Sequence, residues 1–369
     1  MRKALGRVRR RAEAAAGAVR DRRRHRAIAG AAATRPGIAV FYGHDRLPGP
    51  DEPAHGGTIK FQQLASAFPN EPRRFNLLYF GSSVRPSDSA TLLRLARERA
   101  APIVINQNGV AYPGWHGPGW ERTNKPLAEL LRAADHVVYQ SEFCKVSSDR
   151  FLGEPRASWE ILHNPVDTTR FTPEDRLPRP LTLLLGGNQY QRYRLEVALA
   201  AFDLVRAERE ARLVVTGRMS WHADAREAER EARELVARSR AGADVAFTGL
   251  YTQREAPEVY RAGDLLLHTK YNDPCPTTVL EAMASGLPVV YSASGGTPEL
   301  VGPAGIGVPA PLDWERDHPP GPEELAGAVL EAAERREELA AEARARAVER
   351  FDLTGWIERH RQLFTELVG

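Results

Sequence analysis

Cysteine is nearly absent from this chain: Cys144 and Cys275 are the only two in 369 residues. They are too few and too far apart for a disulfide framework or a metal-ligand cluster, and they point to a reducing compartment. Lysine is scarce too. Of 51 basic residues only Lys3, Lys60, Lys125, Lys145 and Lys270 are lysine. Genome-wide codon preference produces such a bias towards arginine and alanine, so arginine richness alone says little. No apolar run approaches the ~20 residues needed to span a bilayer. The stretch 27–33 follows an arginine cluster but holds one isoleucine among alanine and glycine, too weakly apolar for the core of a secretory signal.

What is present is an ordinary globular composition, 42% apolar and 27% charged, in a chain long enough for two cores. The net charge of +3 hides an asymmetry: residues 1–35 sum to +10 and the remainder to −7. The basic segment reads as a fraying helix or a flexible arm. A solvated tail, association with anionic lipid headgroups and nucleic-acid binding are its three readings. The last is the weakest, because the arm lacks interleaved aromatics and the body is acidic.

From Gly37 onward short apolar runs alternate with helical patterns. GIAVFYG (37–43), FNLLYFG (75–81), PIVINQNG (102–109) and DHVVYQS (135–141) read as strands, with helices over 56–68, 88–99 and 124–133. A proline-rich, charged stretch at 163–180 reads as a linker. Five more strands follow at 181–187, 211–217, 244–249, 264–269 and 287–292, then a helical pattern from Pro322 to about Arg350 and a last helix over 353–367. Such alternation predicts two parallel sheets covered on both faces.

Residues 271–300, YNDPCPTTVLEAMASGLPVVYSASGGTPEL, carry the most chemistry. Asp273 stands eight positions before Glu281. Pro274 and Pro276 block helix before Thr277, and either Thr277 or Thr278 is suited to cap the helix that follows. The unpaired N–H groups of a helix start form an anion site. With a carboxylate on either side, the pattern suits a ligand with phosphate in its middle and hydroxyls at both ends.

This segment resembles the signature of glycosyltransferase family 4, retaining enzymes of the GT-B fold marked by Glu-x(7)-Glu and Ala-Met-Ala-x-Gly-x-Pro-Val-Val. Asp273 stands where the family has its first glutamate, and Glu281 matches the second. Other stretches from Gly37 to the end follow in family order. GGTIKFQQLASAF, with Gly56 and Gly57, resembles the first glycine-rich loop. HNPVDTTRFTP is similar to the inter-domain junction, where a hinge without ligand contact is the better reading. LGGNQYQRYRLEVALAAF, with Gly187 and Asn188, sits where the family carries an arginine and a lysine for the donor diphosphate. One alignment puts Arg192 on that lysine; another puts Tyr193 there with Arg192 and Arg194 adjacent, and Arg192 is the favoured choice. FTGLYTQ, with Leu250, matches the loop that meets the nucleobase. PIVINQNG places Asn108 where many members have a histidine near the reacting sugar, and Trp115, His116 and Trp120 follow as acceptor-side candidates.

The resemblance implies two Rossmann-like domains facing a central cleft: residues 36–172 for the acceptor, 173–352 for the donor, and 353–369 as a helix crossing back to the first. It implies a retaining transfer from a nucleotide-diphosphate-sugar to a glycan, lipid-linked or small-molecule hydroxyl, with no metal and no cofactor. Thr277, Thr278 and Val279 would hold the diphosphate with the arginines, Glu281 the ribose and Asp273 the transferred sugar. The expected setting is the cytoplasm, in bacterial polysaccharide synthesis, with residues 1–35 touching the inner face of the membrane in the lipid reading. A nucleotide-sugar epimerase or hydrolase of the same fold is one alternative; a degenerate binding scaffold is the other.

Overall fold

The computed structural model describes all residues except 1–16, 18, 35, 53, 55 and 175–178. Two parallel sheets organise the chain. The first has strands β1 (Val40–Phe41), β2 (Leu77–Gly81), β3 (Ile103–Gln107), β4 (His136–Tyr139) and β5 (Ser158–Ile161), side by side in that order. The second holds β6 (Leu181–Leu185), β7 (Ala211–Thr216), β8 (Val245–Gly249), β9 (Leu265–His268), β10 (Val289–Ala293) and β11 (Gly305–Pro309) in the order β11-β10-β9-β6-β7-β8. The central strands are fully buried, as the apolar runs predict for a sheet covered by helices on both faces.

Sequence pattern anticipates nine of these strands. It misses β5 and β11, which lie at the sheet edges, where half-exposed SWEI and glycine-rich GIGVP lack an apolar run. The long helical pattern after Pro322 is two helices, Pro322–Glu334 and Arg336–Phe351, broken at Arg335.

The flexible arm expected at 1–35 needs correction over its described part. Residues 19–29 form a helix fastened to the first sheet's unit. Ile28 is buried in that unit's core, Arg24 pairs with Asp88, and His25 Nε2 lies 2.7 Å from the same carboxylate. Arginine richness hid one apolar anchor and a specific ion pair. Residues 1–16 of the basic segment lie outside the described residues.

The chain passes between the units twice. Residues 162–180 lead from β5 to β6, and the helix Leu353–Val368 returns to the first unit. There Trp356, Leu363 and Phe364 pack against Val40, Phe61, Phe68 and Tyr79. The Tyr79 hydroxyl and His360 Nε2 meet at 2.9 Å beneath it. The two crossings run side by side: Val166 N donates to Phe351 O over 2.8 Å, and Leu353 N to Val166 O over 3.0 Å.

Candidate active site

The second sheet's order reverses between β6 and β9, so the loops leaving their carboxyl ends diverge and open a crevice, the usual ligand position in an open α/β sheet. Loops after β2, β3 and β4 face it from the first unit. The result is a cleft with two adjoining lobes of about 500 and 530 Å³. The lobes share Ser83, Asn108, Trp115, Lys270, Asp273 and Cys275 along their junction.

One lobe is lined with backbone. Gly187 has φ +77°, and a methyl group on it would stand 3.1 Å from Thr278 Cγ2. Across the cleft, a methyl group on Gly56 would stand 3.4 Å from Thr277 Oγ1. Gly57 faces elsewhere in its packing: an added methyl would meet Val84 at 2.6 Å, so its lack of a side chain also serves the fit of its own unit.

The helix Thr277–Ala284 starts at this lobe. Neither threonine caps it, contrary to expectation. Pro276 occupies the cap position and no side chain closes the helix start, so Thr277 and Thr278 are its first two residues and line the lobe. Their N–H groups have no acceptor within the helix. Val279 does not reach the lobe. Its side chain is in the core and its N–H donates to Pro276 O over 3.1 Å.

Glu281, one turn further, forms part of the lobe's floor. Its Oε2 accepts from the Tyr260 hydroxyl at 2.7 Å and its Oε1 from Gln253 Nε2 at 3.3 Å. Burial pushes its carboxyl up to about 7, against the pull of those two donors. Leu250 and Tyr251 close the same lobe from the loop after β8, and Leu250 is half exposed.

The two arginine candidates separate. Arg194 lines the lobe and is buried: Nη1 donates to Asn188 O at 2.8 Å and Nη2 to Gly186 O at 3.0 Å. Its fork thus holds the glycine loop from below and places a positive charge under it, while its Nε has no partner. Arg192, the favoured candidate, is half exposed on the outer side, with Nη2 3.1 Å from Glu196 and Nε 3.9 Å from Glu231, and lines neither lobe. Alignment by spacing could not tell which arginine faces inward from a helix that begins at Tyr193.

Asp273 stands at the junction. Its Oδ2 is 3.1 Å from Lys270 Nζ and 3.3 Å from His268 Nε2. Burial alone raises this carboxyl, but Lys270 and His268 outweigh it and hold it well below the usual carboxylate range. Asn108, opposite, accepts from Gly109 N at 2.7 Å through its own side-chain oxygen. Of the acceptor-side candidates only Trp115 reaches the cleft, half exposed, its Nε1 donating to Val110 O at 3.0 Å. Trp120 packs edge-on against Phe151 with centroids 5.2 Å apart, and His116 Nε2 pairs with Thr123 Oγ1 at 2.8 Å, so neither lines a lobe. His116 ends the short helix Pro113–His116, and Trp120 opens the next one, Trp120–Ala133.

Sequence reasoning missed Lys270, His268, Tyr260 and Gln253. A weak signal for Lys270 was present: it is one of five lysines in a chain that otherwise uses arginine. It also missed a buried polar chain under the cleft. Lys60 Nζ donates to Asn106 Oδ1 at 2.7 Å, Gln140 Nε2 to the same oxygen at 2.6 Å, and Asn164 Nδ2 to Gln140 Oε1 at 3.0 Å and Cys275 O at 2.9 Å. Burial pushes the Lys60 ammonium down to about 8.

Residues 179–334 match the protein family described as glycosyl transferases group 1. Over 194 residues, 49% of this chain and 49% of the relative, the chain is 27% identical to the O-antigen chain mannosyltransferase B of Escherichia coli. A stretch of 52 residues, 14% of this chain and 12% of the relative, is 42% identical to the mannosylfructose-phosphate synthase of Agrobacterium fabrum. The chain therefore spans about half, or far less, of the length of these curated relatives. Among solved structures, that of Anabaena HepE in complex with UDP-glucose superposes with a TM-score of 0.64 at 16% identity, over 84% of this chain and 82% of that one. The protein has the GT-B fold, and its residues 179–334 match the glycosyl transferases group 1 family.

Proposed function

We propose that this protein is a retaining, metal-independent glycosyltransferase of family 4, which moves a sugar from a nucleotide-diphosphate-sugar to a hydroxyl of a glycan, lipid-linked or small-molecule acceptor. One observation carries the reading. The uncapped helix start at Thr277-Thr278, the Gly186-Gly187 loop and the Arg194 charge beneath it converge on one lobe, flanked by Glu281 on its floor and Asp273 at its mouth. Backbone approach at glycine, helix N–H groups and a fixed cation form a site for a diphosphate, and the carboxylates suit hydroxyls at both ends. Anabaena HepE, of the same fold, is described with UDP-glucose, which supports a nucleotide-sugar donor.

In this reading Glu281 accepts from ribose hydroxyls and Asp273 from the sugar being transferred. The lobe past the junction, with Trp115 on its wall, takes the acceptor. Residues 36–172 then form the acceptor unit and 173–352 the donor unit. Among the described residues no helix is long and apolar enough to cross a membrane. Both cysteines are free, which suits a reducing compartment, and we assign the reaction to the cytoplasm.

The test is a thermal-shift screen of UDP-, GDP- and ADP-sugars followed by product analysis. A ligand at a hundred times its Kd raises stability by about 2.7 kcal/mol. The reading predicts a shift with at least one of them and transfer with the anomeric configuration kept. Free sugar as the main product in the presence of acceptors would favour a hydrolase, and the absence of any shift would sink the proposal.

A further inference from the structure

The donor lobe has two cations on its wall, Arg194 and Lys270, and they are differently placed. Arg194 is buried and its Nη atoms are held by the carbonyls of Gly186 and Asn188. Lys270 lies on the loop after β9, at the crevice, with its side chain 23% exposed. It lines both lobes, as does Asp273. Its ammonium has three donors; among the described residues it pairs with Asp273 Oδ2 at 3.1 Å, and Asp317 is close enough to feel its charge. Arg192, placed by spacing at the diphosphate, is on the outer surface.

We propose that Lys270 is a catalytic cation of this cleft, bridging Asp273 and the donor phosphate nearest the transferred sugar. The inference rests on the transferase reading above. The bond to be broken lies where the donor lobe opens into its neighbour, and Lys270 stands at that junction. A single ammonium can hold Asp273 with one N–H and a phosphate oxygen with another. When the bond from the sugar's anomeric carbon to the phosphate oxygen breaks, its electron pair stays on that oxygen. Lys270 keeps its proton and donates a hydrogen bond to the charge that develops. The acceptor oxygen bonds to the anomeric carbon, and its proton passes to the departing phosphate. The same contact fixes Asp273 towards the sugar, so the residue on the leaving-group side and the residue on the sugar side are set by one ion pair.

The experiment titrates UDP, UMP, GDP, GMP, ADP and AMP into wild-type protein, Lys270→Gln and Lys270→Arg, with melting temperature recorded for each. For the base that binds wild type, Lys270→Gln is expected to lose ~10-fold in affinity for the diphosphate and under ~2-fold for the monophosphate. Turnover of the corresponding nucleotide-hexose should drop ~100-fold or more, with Lys270→Arg recovering most of the loss because the charge is retained. Equal losses for mono- and diphosphate, or normal turnover in Lys270→Gln, would overturn the proposal. So would a Lys270→Arg variant as inactive as Lys270→Gln at an unchanged melting temperature. Wild type that binds none of these nucleotides would instead remove the transferase reading, and this proposal with it.

Discussion

The Tyr260 hydroxyl donates to Glu281 Oε2 over 2.7 Å, and the pair is buried under the floor of the cleft. A carboxyl held there at about 7 is poised between its two forms near neutral pH. A ligand whose hydroxyls donate to Glu281 binds the ionised form. Nucleotide affinity should therefore rise as pH climbs towards 7, by about tenfold per unit at most, and then level off. In Glu281→Gln the affinity should be lower and this component of the pH dependence absent. Calorimetry between pH 5.5 and 8.5 checks both. The stability consequence has the opposite sense. Because the folded value lies above the unfolded one, Glu281 costs stability as pH rises from about 4.5 through 7, so ligand-free Glu281→Gln should melt higher than wild type at pH 8.

Arg194→Ala should destabilise the protein by about 2–4 kcal/mol, because it takes the buried donor from Asn188 O and the nearer donor from Gly186 O, which keeps Gln189 Nε2 at 3.4 Å. Arg194→Lys should recover little, since an ammonium cannot reproduce the fork. Arg192→Ala should stay within about 0.5 kcal/mol of wild type and leave nucleotide affinity unchanged, as expected for a half-exposed ion pair. Urea denaturation of the three variants measures the difference.

Ile28→Ala should cost about 2–4 kcal/mol, the range for truncating a fully buried aliphatic side chain. A loss under about 0.5 kcal/mol in urea denaturation would show that the helix over residues 19–29 is not seated on the first unit.

His360 is buried neutral, its imidazole pushed down to about 4 chiefly by burial, with Tyr79 and the Trp356 carbonyl on its two nitrogens. Its unfolded counterpart takes up a proton near 6.5. Stability should therefore be whole above about 6.5 and fall by up to about 3 kcal/mol as pH drops through to 4. Glu281 works in the other direction over part of this window, so the informative quantity is the difference between wild type and His360→Gln. That difference should narrow as pH falls from 7 to 4 in melting curves.

Sequence reading located the fold because buried parallel strands are continuous apolar runs, and nine of eleven had one. It could not see β5 and β11, edge strands without an apolar run, or the break at Arg335, where alanine-rich helical composition continues on both sides. The cleft was legible where backbone geometry shapes it: Gly56, Gly186, Gly187, Pro276 before Thr277, and Glu281 one turn inside the helix all line one lobe. It was illegible where function depends on which way a side chain points. Arg192 and Arg194 are two positions apart and have opposite surroundings. Trp115 and His116 are adjacent, and only the tryptophan faces the cleft. Lys270 and His268 have no local pattern, because what brings them to the cleft is their place at a strand end beside Asp273.

Two chains, not one, join the sheets, and Val166 is laced to Phe351 and Leu353 where they pass. One connecting chain would let the two bodies swivel freely. A laced pair resists twist, which would have to break both hydrogen bonds. The Thr277 helix start and Gly56 come from different units, so the lacing keeps the two walls of the cleft in register.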